Sequence, residues 1–386
     1  MTFRGATYDV KMGFTSSADA VPDPDRPSVM QARRRSAPAA GGGVEVRLCE
    51  AIDWSDEQSV RPDLCTFGFD LVDLADLEPV QRACLAIRQE ADITDASAAA
   101  MRAALQGAVL PCSSGRRLKV LHVAEEGLIL RVAGPNRLPV APTQAKNSNT
   151  QGPATAVHAD QDVHGTPLAQ LMDGRAPSLF RHDSPDGHNH DASLMLVNLW
   201  IPLHQITQPL VLGDGRSLDR PRHQLRFGLA TDSFLNRESD QVVNDIWTFC
   251  HHPDQRWYFR SEMDHREAYV FDTLSTAHGS AVLPGEDVAE RLYLALERVE
   301  AVSAGGDRPD LTRVLDEVGP QECPERVTPA LADAIAEMAD LLDEARGDPA
   351  RTFGGEATSW SARSRTARGR VVRTSVEMRL VVSVEP

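Results

Sequence analysis

Alternation of apolar and polar residues at a period of two dominates this chain and predicts strands. VEVRLCEAI, from Val44, alternates cleanly, and FGFDLVDL follows as a short apolar run. LKVLHVAEEGLILRVA (residues 118–133) reads as a hairpin of two alternating runs around a Glu-Glu-Gly turn. Over residues 154–280 the runs TAVHAD, LMLVNLWIPL, PLVLGD, QRWYFRS and REAYVFDTLS are separated by turn residues, the rhythm of an antiparallel sandwich or barrel. The chain ends in one long alternating strand, RVVRTSVEMRLVVSV.

Helical periodicity appears over residues 78–108, 288–302 and 329–346. The last of these has Thr328 as N-cap, Pro329 in the first helical position and Gly347 as its stop. Residues 16–43 are rich in Pro, Ala, Ser and Gly. Residues 1–43 are therefore expected to form a loose N-terminal arm, with residues 44–386 as a single domain. Residues 134–156 read as a loop and residues 353–370 as a polar linker.

Composition narrows the function. Of 386 residues, 41% are hydrophobic, enough for a folded core. No run approaches 18 uncharged apolar residues, and the first residues lack a signal-peptide core, so a cytoplasmic protein without a membrane partner is expected. With 40 basic against 56 acidic residues, a net charge of −16, nucleic acid is a poor partner. The six cysteines form no C-x-x-C pair and are expected as free buried thiols.

The chain has twelve histidines. His158 and Asp160 form a His-x-Asp pair in TAVHADQD, and on a strand residues i and i+2 point to one face. An imidazole and a carboxylate then converge on one point, and a distant histidine would complete a two-His-one-carboxylate facial triad with three open positions. His278, after an apolar strand and before Gly-Ser, is the candidate third ligand. On the residues alone, a surface histidine at 158 and a loop histidine at 278 remain open. So does a second metal in the loop RHDSPDGHNHD, with His182, His188 and His190. Asn198 and Trp200 share a strand face, where Asn198 either meets a ligand or caps a neighbouring strand. Arg373, Ser375, Glu377 and Arg379 share a face of the last strand, which could equally be an exposed salted surface.

Five segments in order resemble the hydroxylase/desaturase branch of the Fe(II)/2-oxoglutarate dioxygenases found in natural-product clusters, with gibberellin desaturase-like and cephamycin-cluster members. They are TFGFDLVDL, VHADQD, VNLWIPLHQITQPLVLGDGRSLD, DQRWYFRSEMDHREAYVFDTLSTAHGS and VVRTSVEMRLVV. The resemblance implies a mainly β fold with added helices, a double-stranded β-helix (a cupin-like jelly-roll barrel). It implies His158, Asp160 and His278 as ligands of Fe(II), with 2-oxoglutarate and O2 as co-reactants. It also implies hydroxylation, desaturation or ring closure of a small-molecule intermediate of secondary metabolism, by hydrogen abstraction. Arg373 and Ser375 match its Arg-x-Ser pair for the 2-oxoglutarate carboxylate, with Asn198 a further cosubstrate contact. In the family the closing strand soon follows the distal histidine; here some ninety residues intervene, read as a helical insertion at about 284–369.

That spacing leaves the cosubstrate arginine open between Arg373, Arg379 and Arg291, with Arg373 favoured because Asp287 can cap a helix that puts Arg291 at its edge. A homodimer is one use for the arm. Two other function classes stand beside the oxygenase. A cupin-type metalloenzyme without oxygen chemistry, a lyase or isomerase, would not consume 2-oxoglutarate. A non-catalytic partner subunit of a biosynthetic enzyme would have no need of a cosubstrate arginine.

Overall fold

The computed structural model describes residues 6–32, 44–55, 61–124, 128–140, 150–152, 154, 156–164, 175–180, 192–230, 243–305, 308–317, 324–353 and 357–385. Two sheets carry the fold. The larger runs, in order, Ala6–Thr15, Val44–Asp53, Trp257–Phe259, Leu210–Gly213, His278–Ser280, His158–Ala159, Val243–Phe249, Gln224–Ala230, Met30–Ala32 and Ala20–Pro22. The smaller runs Phe69–Asp73, Glu267–Asp272, Leu194–Pro202, Arg373–Glu385, Arg117–Val123 and Val109–Pro111, with Ile129–Ala133 also on the closing strand.

The two sheets meet through an aromatic layer. Trp200, Tyr269 and Phe271 from the smaller sheet pack with Leu210, Leu212 and Tyr258 from the larger. Each outer face is covered by helices. Glu78–Glu90 and Asp95–Leu105 bury Val80, Ile87, Met101 and Leu105 on the smaller sheet against Val197, Leu199 and Met378. Ala91, in the left-handed region at φ 50°, ends the first of these, and a Thr94–Ser97 capping box starts the second. The outer face of the larger sheet shares its core with the late helices Glu286–Gly305, Arg308–Glu317, Pro329–Gly347 and Ala357–Arg370. This mainly β architecture of two packed sheets with added helices is the expected jelly-roll class.

Three expectations need correction. The loose arm is ordered over residues 6–32. Ala6–Thr15 pairs antiparallel with Val44–Asp53 over ten residues and buries Val10, Met12 and Phe14. Its other edge bridges Lys11 to Val282 and Gly13 to Ala156, so the strand seals the barrel. The hairpin over residues 118–133 is not one. Arg117–Val123 and Ile129–Ala133 lie end to end along the same side of Arg373–Glu385, which is long enough to pair both. The polar linker holds the helix Ala357–Arg370. Its apolar contribution is small, and it is fixed by buried Trp360, whose Nε1 donates to Leu341 O, and by ion pairs of Arg363 to Glu344 and Arg365 to Glu300. Gln224–Ala230 and Val243–Phe249 are strands that the pattern did not mark.

Candidate metal centre

His158 and His278 are cross-strand partners in the larger sheet. Their rings stand 4.4 Å apart between centroids. Each Nδ1 faces a backbone carbonyl two residues back, His158 to Ala156 O at 2.9 Å and His278 to Thr276 O at 3.0 Å. A carbonyl only accepts, so each Nδ1 carries the proton and each Nε2 keeps its lone pair. Both lone pairs meet one carboxylate oxygen: Asp160 Oδ1 is 3.2 Å from His158 Nε2 and 3.6 Å from His278 Nε2. One ligand atom from each of the three residues lies within 4.8 Å of the others, the one such group among the described residues.

Asp160 is turned by its other oxygen. Asn198 Nδ2 donates to Asp160 Oδ2 and, at 2.8 Å, to Glu377 Oε1, while Thr273 Oγ1 donates to Asn198 Oδ1 at 2.7 Å. Asn198 is fully buried and spends all these bonds on protein groups. Its observed place is therefore behind Asp160, not among the cosubstrate contacts. The electrostatics agree with a cation-ready site. Against the cost of burial, His278 and His158 hold the Asp160 carboxyl well below its usual range. Burial and the neighbouring His158 push His278 down to about 4. Burial and the Asp160 charge push Glu377 up to about 7. The donor set, two imidazoles and one carboxylate, fits a first-row divalent metal such as iron(II).

The inner face of the closing strand extends the site. Arg373 is buried. Its Nη2 donates to Ser280 Oγ at 3.1 Å and its guanidinium lies 5.8 Å from the Trp200 ring centre. Ser280 is two residues past His278 on one strand face, about 7 Å further along the strand, and it is there that Arg373 bonds. Arg373 Nε and Ser375 Oγ are buried with no hydrogen-bond partner among the described residues. Burial, with Arg131 adding to it, pushes Arg373 down to about 10. Unpaired buried donors next to a buried cation are what a ligand carboxylate satisfies.

The other candidate arginines fall elsewhere. Arg291 is half-exposed on Glu286–Gly305, paired with Asp287 at 3.0 Å. Arg379 sits across from Asn198, beyond the metal residues from Arg373, donating to Gln161 Oε1 at 3.1 Å. The pattern missed Arg131, which lies opposite Ser375 and 3.6 Å from Glu377. A lone charge among the apolar residues of LILRVA was its available signal. His182, His188, His190 and Cys323 lie outside the described residues; Cys49, Cys84, Cys112 and Cys250 are buried and carry no disulfide.

Known proteins overlap this region. A family described as an oxidoreductase/YMDC permease-like domain matches residues 129–284, the stretch that carries all three metal candidates. The hydroxylase/desaturase efuI of Hormonema carpetanum is 29% identical over 132 residues, 33% of this chain and 41% of its own length. The chain spans about two fifths of the length of the curated relative it matches. Among the described residues no helix is long and apolar enough to cross a membrane. Solved structures of the iron and alpha-ketoglutarate-dependent endoperoxidase NvfI align over all of both chains at 12% identity and a TM-score of 0.47. A tryptophan-to-phenylalanine variant of that enzyme gives 13% and 0.47, and likenesses this slight assign no chemistry.

Proposed function

We propose that this chain is an Fe(II)/2-oxoglutarate-dependent dioxygenase acting on a small-molecule natural-product intermediate, which it hydroxylates, desaturates or cyclises. The observation that carries the reading is the pairing of two half-sites: three converging donor atoms at His158, Asp160 and His278, and the unspent donors of Arg373 and Ser375. His158 Nε2, His278 Nε2 and Asp160 Oδ1 would hold the iron. Bound iron would supply the redox chemistry that couples oxygen and 2-oxoglutarate to oxidation of a C–H bond.

The protein groups do the positioning. Ala156 and Thr276 keep the Nδ1 protons in place, so neither imidazole has to change tautomer to bind a cation. Asn198 keeps Asp160 Oδ2 turned away from the histidines. Arg373 and Ser375 would donate to the distal carboxylate of 2-oxoglutarate, a five-carbon dicarboxylate suited to the roughly 7 Å offset from the distal histidine. Phe271, with its ring centre 4.5 Å from that of His278, excludes water from one side.

The division of the chain into a barrel and a helical insertion at about 284–369 belongs to the same proposal, as do a cytoplasmic site of action and a homodimer, which light scattering tests. The deciding experiment is anaerobic addition of Fe(II) and 2-oxoglutarate, read as the weak visible charge-transfer band of the chelate. Absence of the band would remove the cosubstrate assignment, and binding of metal without 2-oxoglutarate would favour the oxygen-independent cupin reading.

A further inference from the structure

Immediately after the Asp160 carboxylate the chain carries a second aspartate that the metal centre does not use. Asp162 is completely buried. Its backbone N–H donates to Asp245 O at 2.7 Å, and its Oδ1 accepts from His164 N at 3.2 Å, closing the turn that follows Asp160. Its Oδ2 takes an ion pair from Arg26 and lies 3.8 Å from Arg226 Nε. Arg226 in turn bonds Asp245 Oδ2 at 2.6 Å and Asp23 Oδ2 at 2.9 Å. Asp23 and Asp245 are also buried. Arg26 lies over the Trp247 ring, 5.5 Å from its centre, and Trp247 is the cross-strand partner of Ala159.

Five charged side chains from four separate stretches thus close around the turn that presents Asp160. Two of them, Asp23 and Arg26, come from the segment before Met30–Ala32, which pairs parallel with Gln224–Ala230. Buried carboxylates are tolerated only when paired, so Asp162 keeps its place only while the arginines keep theirs. The turn has no apolar alternative to hold it: between Ala159 and Val163 every side chain is polar.

Resting on the dioxygenase reading for the identity of the metal residues, we propose that Arg226 and Arg26, acting through Asp162, are positioning residues that fix Asp160 for metal binding. The N-terminal segment is thereby a working part of the metal centre. The ligands themselves are untouched by these side chains, so the effect is on metal affinity and not on the carboxylate end of the site.

The test uses the full chain and Co(II) as the probe, titrated by its visible absorption in the absence of 2-oxoglutarate. Asp162→Asn and Arg226→Gln should weaken Co(II) binding about 10–100-fold, the size usual for outer partners of metal ligands, with Arg226→Lys recovering part of the loss. Affinity of the Co(II)-saturated variants for 2-oxoglutarate should stay within about twofold, since the Arg373 end shares no partner with this network. Trp360→Ala, a core deletion in the late helices, serves as the control for general destabilisation and should hold Co(II) like the parent. If Asp162→Asn does not fold, Arg26→Gln, which leaves Arg226 in place, should still show a weaker form of the same loss. Parent-like Co(II) binding in the folded variants, or an equal loss in Trp360→Ala, overturns the proposal. A parent chain that binds no Co(II) overturns the dioxygenase reading as well, which separates the two failures.

Discussion

The two ends of the barrel interior differ in how much of their hydrogen bonding is already spent. At the histidine end, each Nδ1, Asp160 Oδ2 and the whole amide of Asn198 have partners within the protein. At the arginine end, Arg373 Nε and Ser375 Oγ are buried with none among the described residues. A metal site must hold its ligand atoms still before the ion arrives, and the bonds behind them do that. A carboxylate site must instead keep donors in reserve, because the ligand brings its own acceptors.

The largest break in that contrast is Arg373→Ala. It should raise the 2-oxoglutarate requirement by about two to three decades, since an unpaired buried carboxylate costs ~3–5 kcal/mol. Metal affinity should hardly change, and Arg291→Ala should leave both intact because that side chain is on the helix surface. Steady-state kinetics in 2-oxoglutarate, beside a metal titration, reads both effects.

Asn198→Ala should give the mirror image. Freeing Asp160 Oδ2 and stripping Glu377 of its donor should lower metal affinity about 10–100-fold. The dependence of the metal-saturated enzyme on 2-oxoglutarate should be nearly unchanged. A loss confined to 2-oxoglutarate affinity would return Asn198 to the cosubstrate contacts.

Ser375→Ala is the smallest and sharpest test. Its hydroxyl has no partner to lose among the described residues, so the melting temperature should hold or rise slightly. Affinity for 2-oxoglutarate should fall by the ~0.5–1.5 kcal/mol of one hydrogen bond. A drop in stability with unchanged affinity would mean that Ser375 is scaffold.

How much of this was legible depends on whether the signal was local. His158 and Asp160 were readable because two residues two apart share a strand face, and Arg373 with Ser375 for the same reason. Ala6–Thr15 carried an equally clear alternation in Tyr8, Val10, Met12 and Phe14. It was obscured because its partner strand begins only at Val44, past a stretch whose composition reads as a linker. That Arg117–Val123 and Ile129–Ala133 lie end to end could not be seen locally, because the register is set by a strand some 250 residues away. The helix Ala357–Arg370 has no apolar stripe; one tryptophan and several arginine–glutamate pairs hold it, and neither leaves a period to read. Likewise Asn198 was visible as a buried amide, but whether it served Asp160 or a ligand was a matter of tertiary placement.

The first strand has a consequence for how the protein comes into being. Val157 N–H, beside His158, donates to Gly13 O at 2.8 Å, while Glu377, near the other end of the chain, takes the amide that turns Asp160. Residues from about the tenth to the last dozen must all be in place before the three donor atoms converge. Such long-range closure is slow relative to local structure. A chain still leaving the ribosome therefore has no finished site, and the three donor atoms converge only once the closing strand has paired.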